Sequence, residues 1–214
     1  SLKLAGFSMI LTIVFGVGSG VLMAVKKDRL LDHVLGTFST VALSLPGFWI
    51  AIVLIFIFAE QWKILPSSGI SDGSGFILPA ITLALPSIGV CARLTRSAIL
   101  DEIGRQYMTV ADAKGMSRRR AVIRHAFGNA LIPIITYLGN HMAGIIGGAS
   151  IVETIFAIPG IGSYAIAGVQ SKDYYVVQAY VLFSGCIYVL TNILIDLIYI
   201  ALDPKIRAGE AVES

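Results

Sequence analysis

Long apolar runs separated by short polar segments dominate the pattern of this chain. A helix needs about 20 apolar residues to cross the roughly 30 Å hydrocarbon core of a bilayer. The third run is short and contains Pro79 and Pro86, but neighbouring helices can satisfy the backbone groups that a proline frees. The pattern therefore predicts an all-α, polytopic transmembrane helix bundle with five spans. These spans are predicted at residues 4–25, 36–59, 76–92, 131–152 and 176–202.

The composition supports a membrane protein. Charged residues make up 14% of the 214 residues and hydrophobic residues 56%, whereas a soluble domain carries about 25% charged residues. Cys91 and Cys186 are the only cysteines, and both lie in apolar runs, so we expect them to be buried. No disulfide framework or CxxC metal site can be built from them.

The distribution of Lys and Arg predicts the orientation of the spans. The loops after successive spans contain 3, 1, 8, 1 and 2 of these residues, and basic loops stay in the cytoplasm. Residues 26–35, 93–128 and 203–214 are therefore predicted to be cytoplasmic, which places Ser1 outside. An external first residue without a signal peptide leads us to expect a further span upstream.

Small and polar residues inside the spans predict contacts between helices. Gly16 with Gly20, and Gly144 with Gly148, are spaced to share a helix face where backbones approach closely. Polar groups at membrane depth usually face the bundle interior or a water-filled path. For His141 both an interhelical hydrogen bond and a place on the solute path stay open. The polar residues within the spans are Asn140, His141, Asn192 and Asp196.

The two predicted external loops differ in character. The loop before the third span contains Trp62, which is typical of an interfacial aromatic anchor. Residues 153–175 are semi-apolar and too broken to span the membrane. Either a short re-entrant helix after Pro159 or a packed loop would suit them.

The third loop, residues 93–128, is basic but also carries apolar side chains. It is predicted to continue the third span from Arg93 to Met108, break at Gly115 and restart as a helix at Ser117. Apolar groups on a solvated segment indicate a docking surface. The alternative is that its basic residues serve only to fix topology. The apolar positions are Tyr107, Val110, Ala111, Ala113 and Met116.

The sequence motifs for nucleotide binding and zinc proteolysis are absent. The chain has no GxxxxGK[ST] or HExxH pattern and no acidic cluster suited to a metal. We therefore expect a non-enzyme without a cofactor or a confident metal site of its own. A gradient-driven secondary transporter would call for paired acidic residues or broken repeated helices at mid-membrane. A membrane scaffold would explain a docking loop but not the polar residues within the spans.

Four stretches of the sequence resemble motifs of the permeases of binding-protein-dependent ABC importers, specifically the peptide/nickel branch, and they occur in the same order along the chain. They are CARLTRSAILDEIGRQYMTVADAKGMSRRRAVIRHAFGNALIP (91–133), LSLPGFWIAIVL (43–54), GGASIVETIFAIPGIGSYAIAGVQSKDYYVVQ (147–178) and NILIDLIYIALDPKIR (192–207). The wider family has an EAA–x3–G–x9–I–x–L–P pattern, which Ala111 and Gly115 match. Thr109 and Val110 replace its Glu and first Ala, and three later positions also depart from it. Those positions are His125, Phe127 and Gly128.

The resemblance implies a type I ABC importer permease fold with a permease domain at 1–207, a coupling loop at 93–128 and a cytoplasmic tail at 208–214. It implies a bacterial inner-membrane complex with two ABC ATPase subunits that bind ATP and Mg, a second homologous permease, an extracytoplasmic solute-binding protein and membrane lipids, but no nucleic acid. The solute would be a peptide, nickel or a nickel chelate. The implied ATPase-docking residues are Tyr107, Val110, Ala111, Ala113, Lys114, Gly115 and Met116. The candidates for the translocation path are Asn140, His141 and Glu153. Permeases of this branch have six spans, in keeping with a span upstream of the five predicted here.

Overall fold

The computed structural model describes residues 1–70, 73–105 and 126–202, and every regular element in these ranges is helical. The predicted all-α class is therefore confirmed. The helices, numbered along the chain, are α1 (Leu2–Val25), α2 (Leu30–Ser44), α3 (Gly47–Gln61), α4 (Ile77–Ile103), α5 (Phe127–Ile146), α6 (Ser150–Ile155), α7 (Ile161–Gln170) and α8 (Tyr174–Leu202). A π-helical section at Thr12–Val17 lies within α1, and another at Ile55–Gln61 ends α3.

Three of the described helices, α1, α4 and α8, are long and apolar enough to cross a bilayer. The pair α2 and α3 counts as a fourth span if the bent pair crosses as one unit. Helix α5 has 20 residues, or about 30 Å at 1.5 Å per residue, which is long enough to span the bilayer. It is not counted among the candidate spans because it is less apolar than α1, α4 and α8. Asn129, Asn140 and His141 make it more polar. Length and composition thus support three or four spans in the described residues, whereas five were predicted.

The predicted second span, 36–59, is not one straight helix. It consists of parts of α2 and α3, which meet at an angle of 101°. Leu45 has φ −81° and ψ 129°, and Pro46 has ψ 135°, so both are extended. A residue before proline is pushed out of the helical region by the proline ring, which explains the bend.

The third span is longer than predicted. Instead of ending at residue 92, α4 runs for 27 residues to Ile103, which confirms that part of the expected continuation beyond Arg93. Pro79 lies in the first turn, where a missing N–H has no helical partner to lose. Pro86 lies inside the helix and does not end it. The span therefore extends well into the segment predicted to be cytoplasmic.

The predicted fourth span, 131–152, is interrupted near its end. Helix α5 stops at Ile146 and α6 starts at Ser150. Gly148 between them has φ +125°, a conformation that side-chain-bearing residues avoid. The expected shared face of Gly144 and Gly148 is therefore wrong, because Gly148 lies outside the helix. It faces Gly162 of α7, whose Cα would lie 2.8 Å from a Cβ at residue 148.

Helix α4 is the centre of the bundle and packs against α1, α2, α3, α5 and α6. The expected close packing at Gly16 and Gly20 is confirmed. A Cβ at Gly20 would lie 2.5 Å from Thr95 Cβ, and one at Gly16 would lie 2.8 Å from Cys91 Cβ. The same principle joins α2, since a Cβ at Gly89 would lie 2.5 Å from the Ser39 carbonyl oxygen. Glycine thus lets two helices approach α4 backbone to backbone.

Helix α8 lies at the periphery and packs on α5 and α7. Only 11% of its apolar membrane-spanning stretch is buried against the rest of the described chain. Cys186 of α8 is accordingly exposed, contrary to the prediction, whereas Cys91 of α4 is buried as predicted. An apolar run in a membrane protein can face lipid as well as a core, so hydrophobicity could not separate the two cysteines.

Candidate docking and translocation site

The predicted ATPase-docking element lies outside the described residues. It comprises Tyr107, Val110, Ala111, Ala113, Lys114, Gly115 and Met116. The structure does describe both helices from which this segment departs and to which it returns. Helix α4 ends at Ile103 and α5 starts at Phe127. The site can therefore be described at its two stems.

The two stems contact each other through a buried carboxylate. Glu102, in the last turn of α4, is only 8% exposed. Asn129 Nδ2, in the first turn of α5, donates a hydrogen bond to Glu102 Oε2 at 3.2 Å. Arg105 Nε lies 2.9 Å from Glu102 Oε1. This carboxylate was not among the predicted site residues.

A second charged contact joins α2 to α4. Arg96 Nε and Nη2 donate to Asp32 Oδ1 and Oδ2 at 2.7 and 2.8 Å. The Asp28 backbone N–H donates to Asp32 Oδ2 at 2.9 Å. Asp32 is 4% exposed, so a two-point ion pair is held at the helix interface. In the sequence, Arg96 contributes only to the charge pattern that predicts the orientation of the spans. No local pattern links Asp32 to Arg96, which lie 64 positions apart.

His141 lies in a polar contact between α4 and α5. Its Nδ1 is 3.3 Å from Ser87 Oγ, and its ring stacks on Tyr137 with centroids 5.9 Å apart. Tyr137 Oη donates to the Ser87 carbonyl at 3.2 Å. Within the described chain, His141 Nε2 is buried and has no hydrogen-bond partner. The expected interhelical hydrogen bond is therefore present, and the place of His141 on the solute path stays a prediction.

The other polar residues predicted within the spans lie in different settings. Asn140 follows Gly139 in α5 and is exposed on the surface of this chain. Asn192 Nδ2 donates to the Tyr188 carbonyl of its own helix at 2.9 Å. Asp196 is also exposed. These residues present polar groups at the surface of the chain, where a second protein or lipid would meet them.

Glu153, the third path candidate, is fully buried beneath α7. The Ser163 N–H donates to Glu153 Oε2 at 2.9 Å, and Ser1 Oγ donates to Oε1 at 2.5 Å. Gly160 leaves room for the carboxylate, since a Cβ there would lie 2.3 Å from Glu153 Cδ. An acidic group at a helix N-terminus satisfies free N–H groups and complements the helix dipole. The geometry thus gives Glu153 a capping role, and its path-lining role stays a prediction.

The two predicted external loops are tied together. The Gly69 N–H donates to the Phe156 carbonyl at 2.8 Å, and the Phe156 side chain is 1% exposed. A helix does follow Pro159, as one of the two sequence interpretations required. Next to it lies an open groove of about 950 Å³. Its lining includes Lys3, Ile70, Phe76, Pro159, Ile161 and Tyr164.

A second open groove, of about 900 Å³, lies between α2 and α4. The Asp32–Arg96 pair forms part of its wall, together with His33 and Arg93. Val41, Val90 and Leu94 supply apolar surface. The groove therefore combines a charged, mainly basic region with an apolar region.

Comparison with solved structures defines the class of fold. A chain of the inward-facing methionine ABC transporter MetNI, in its native crystal form, superposes with a TM-score of 0.76 at 16% identity. The match covers 94% of this chain and 92% of the other. A second crystal form of the same transporter gives a TM-score of 0.78. The bundle therefore has the type I ABC permease fold.

Sequence comparison gives the family. Residues 16–208 match the family described as "Binding-protein-dependent transport system inner membrane component", and the chain belongs to this family. The "Probable peptide ABC transporter permease protein y4tP" of Sinorhizobium fredii is 38% identical over 97% of this chain and 69% of its own length. The "Glutathione transport system permease protein GsiC" of Escherichia coli K12 is 34% identical over 94% of this chain and 65% of its own length. The chain thus spans about two-thirds of these relatives, which agree with the peptide/nickel branch.

Proposed function

We propose that this chain forms the membrane-spanning core of a permease subunit in an ATP-driven importer of peptide solutes. The family match over 16–208 carries the proposal. It supports an ABC permease over a gradient-driven transporter or a scaffold. The bundle supports it too, because the predicted docking segment connects α4, the central helix, to α5, which packs directly on it.

Each partner would contact a different part of the chain. Two ABC ATPase subunits would supply ATP hydrolysis, and one would bind Tyr107–Met116 of this chain. A binding protein would deliver solute to the external surface formed by the linked loops at Gly69 and Phe156. A second, homologous permease would complete the path on the exposed side of the bundle. ATP binding would then shift the population between outward-open and inward-open states.

The names of the relatives support a peptide rather than nickel as the solute. Two of them are named for peptide and glutathione transport. In the described part of the chain, no three His, Cys, Asp or Glu side chains group as metal ligands. His141, on which a nickel solute would depend, contacts Ser87 and Tyr137 instead. These observations favour a peptide, for which His141 Nε2 could accept a hydrogen bond.

Uptake by the full-length protein, reconstituted with its paired permease, ATPases and binding protein, tests the solute class. We expect ATP-dependent uptake of labelled peptides that unlabelled peptides, but not nickel, compete away. His141→Ala should lower peptide uptake. Nickel uptake that peptides do not compete and that His141→Ala abolishes would contradict the peptide proposal.

Affinity purification in mild detergent tests the docking proposal separately. Wild type should recover an ATPase, and Gly115→Asp should lose it, because a charged side chain would occupy the close-approach position. Gly73→Asp is the control, because Gly73 starts a short 3₁₀ helix before α4 and an added Cβ there would meet nothing within 4 Å. Failure of wild type to recover an ATPase even after crosslinking would refute the importer proposal.

A further inference from the structure

We propose that the Glu102–Asn129 hydrogen bond makes the two stems of the docking segment move as one unit, so that both residues are positioning residues for coupling. The inference rests on the proposed function, because it assumes that an ATPase acts on the segment between the stems. Neither residue belongs to the docking motif. The contact itself is a property of the described helices.

The location of this contact is specific. Glu102 is in the last turn of α4 and Asn129 in the first turn of α5, and the predicted docking residues all lie between them in sequence. The hydrogen bond, 3.2 Å long, therefore closes the base of the segment. A force applied to the segment reaches the bundle through these two helix ends.

The surroundings keep the contact from being a loose surface pair. Glu102 is 8% exposed, and the neighbouring apolar cluster contains Ile99, Ala126 and Ala130 from the same two helix ends. A hydrogen bond to a carboxylate is stronger than one between neutral groups, and burial limits competition by water. The cluster supplies apolar contact, and the hydrogen bond fixes how the two ends are aligned.

Arg105 also contacts Glu102, but it cannot have this role. Arg105 lies three residues further along the same stem, with its side chain 66% exposed. It can balance the carboxylate charge, but it does not join α4 to α5. Asn129 reaches the carboxylate from the returning stem. Loss of the Asn129 side chain therefore removes this link between α4 and α5.

The inference predicts uncoupling, in which ATP is hydrolysed but less solute enters. The experiment uses the complete reconstituted transporter with its binding protein and a labelled peptide, and measures uptake and ATP hydrolysis in the same vesicles. Asn129→Ala should lower the number of solutes imported per ATP by about fivefold, the effect of losing one hydrogen bond of about 1 kcal/mol. Ser44→Ala is the control, because Ser44 Oγ donates to the Thr40 carbonyl within α2 and does not join two helices.

Exchanging the donor and the acceptor between residues 102 and 129 distinguishes a positioning role from a general loss of structure. Asn129→Asp should uncouple more strongly than Asn129→Ala, because it places a second carboxylate beside Glu102. Adding Glu102→Gln restores a donor and an acceptor in opposite order, and should return the solutes per ATP to within about twofold of wild type. Co-purification with the ATPase reports assembly of each variant.

The outcomes distinguish this inference from the function on which it rests. Wild type that binds no ATPase, or shows no ATP-dependent uptake, refutes the proposed function and the inference together. Wild type that transports while Asn129→Ala keeps the wild-type ratio refutes the inference alone. An assembled double variant with the same low ratio as Asn129→Asp refutes it as well.

Discussion

Close packing of α1 on α4 at Gly20 gives a quantitative test of the fold. In Gly20→Ala the new Cβ would lie 2.5 Å from Thr95 Cβ and 2.6 Å from the Ala92 carbonyl oxygen. An ordinary contact begins near 3.4 Å, so the helices must separate by roughly 0.8 Å at a backbone atom that cannot rotate away. Overpacking of this kind costs about 1–3 kcal/mol.

Gly18→Ala is the matched control on the same helix. Its Cβ meets nothing within 4 Å, so the substitution keeps only the helix-propensity gain of about 0.8–1 kcal/mol. Both substitutions share this gain, so Gly20→Ala should be less stable than Gly18→Ala by about 1–3 kcal/mol. Gly18→Ala should be equal to wild type or more stable.

Thermal unfolding in detergent, followed by size-exclusion chromatography of the heated samples, measures the difference. At about 2–4 °C per kcal/mol for a chain of this size, the Tm of Gly20→Ala should lie about 2–12 °C below that of Gly18→Ala. Equal Tm values for the two variants would refute the packing argument. A larger side chain at the same place, as in Gly20→Val, should lower the Tm further.

Three further predictions concern contacts away from the docking stems. A double-mutant cycle of Asp32→Ala and Arg96→Ala should give a coupling energy of about 2 kcal/mol in thermal unfolding, and additive effects would show that the pair contributes no stability. Glu153→Ala should destabilise the α6–α7 unit by about 1–2 kcal/mol, because α7 loses its cap, and should speed proteolysis within 153–175. The control Thr154→Ala removes a hydroxyl that bonds within its own helix and should change neither property. Gly148→Ala should lower the Tm by more than Gly144→Ala, because only Gly148 has a left-handed φ, and the reverse order would contradict the assigned turn.

The sequence identified what depends on local pattern. Apolar runs located the spans, and the spacing of Gly16 and Gly20 located a helix contact. The bend at Pro46 was visible as a proline, but only its neighbours decide whether a proline kinks a helix or breaks it. Pro86 stays within the continuous helix α4, whereas Pro46 separates two helices at 101°.

Contacts between distant residues lay beyond local pattern. Asp32 and Arg96 are each ordinary charged residues near a span end, and their pairing appears only when α2 packs on α4. Glu153 is predicted as a path candidate, but the fold buries it under α7, where it contacts Gly160 and Ser163. The docking residues were identified through family resemblance, and the described helices add the stems that hold them.

The central place of α4 has a consequence for how the protein is made. Helix α1 leaves the ribosome with a glycine face shaped for α4, yet α4 ends about 80 residues after Val25. At roughly 5–20 residues per second, α1 waits about 4–16 s in the membrane before its partner is complete. During that interval its narrow seam is open to other helices and to the insertion machinery. Correct assembly of this permease therefore depends on keeping the glycine face of α1 free until α4 has been synthesised.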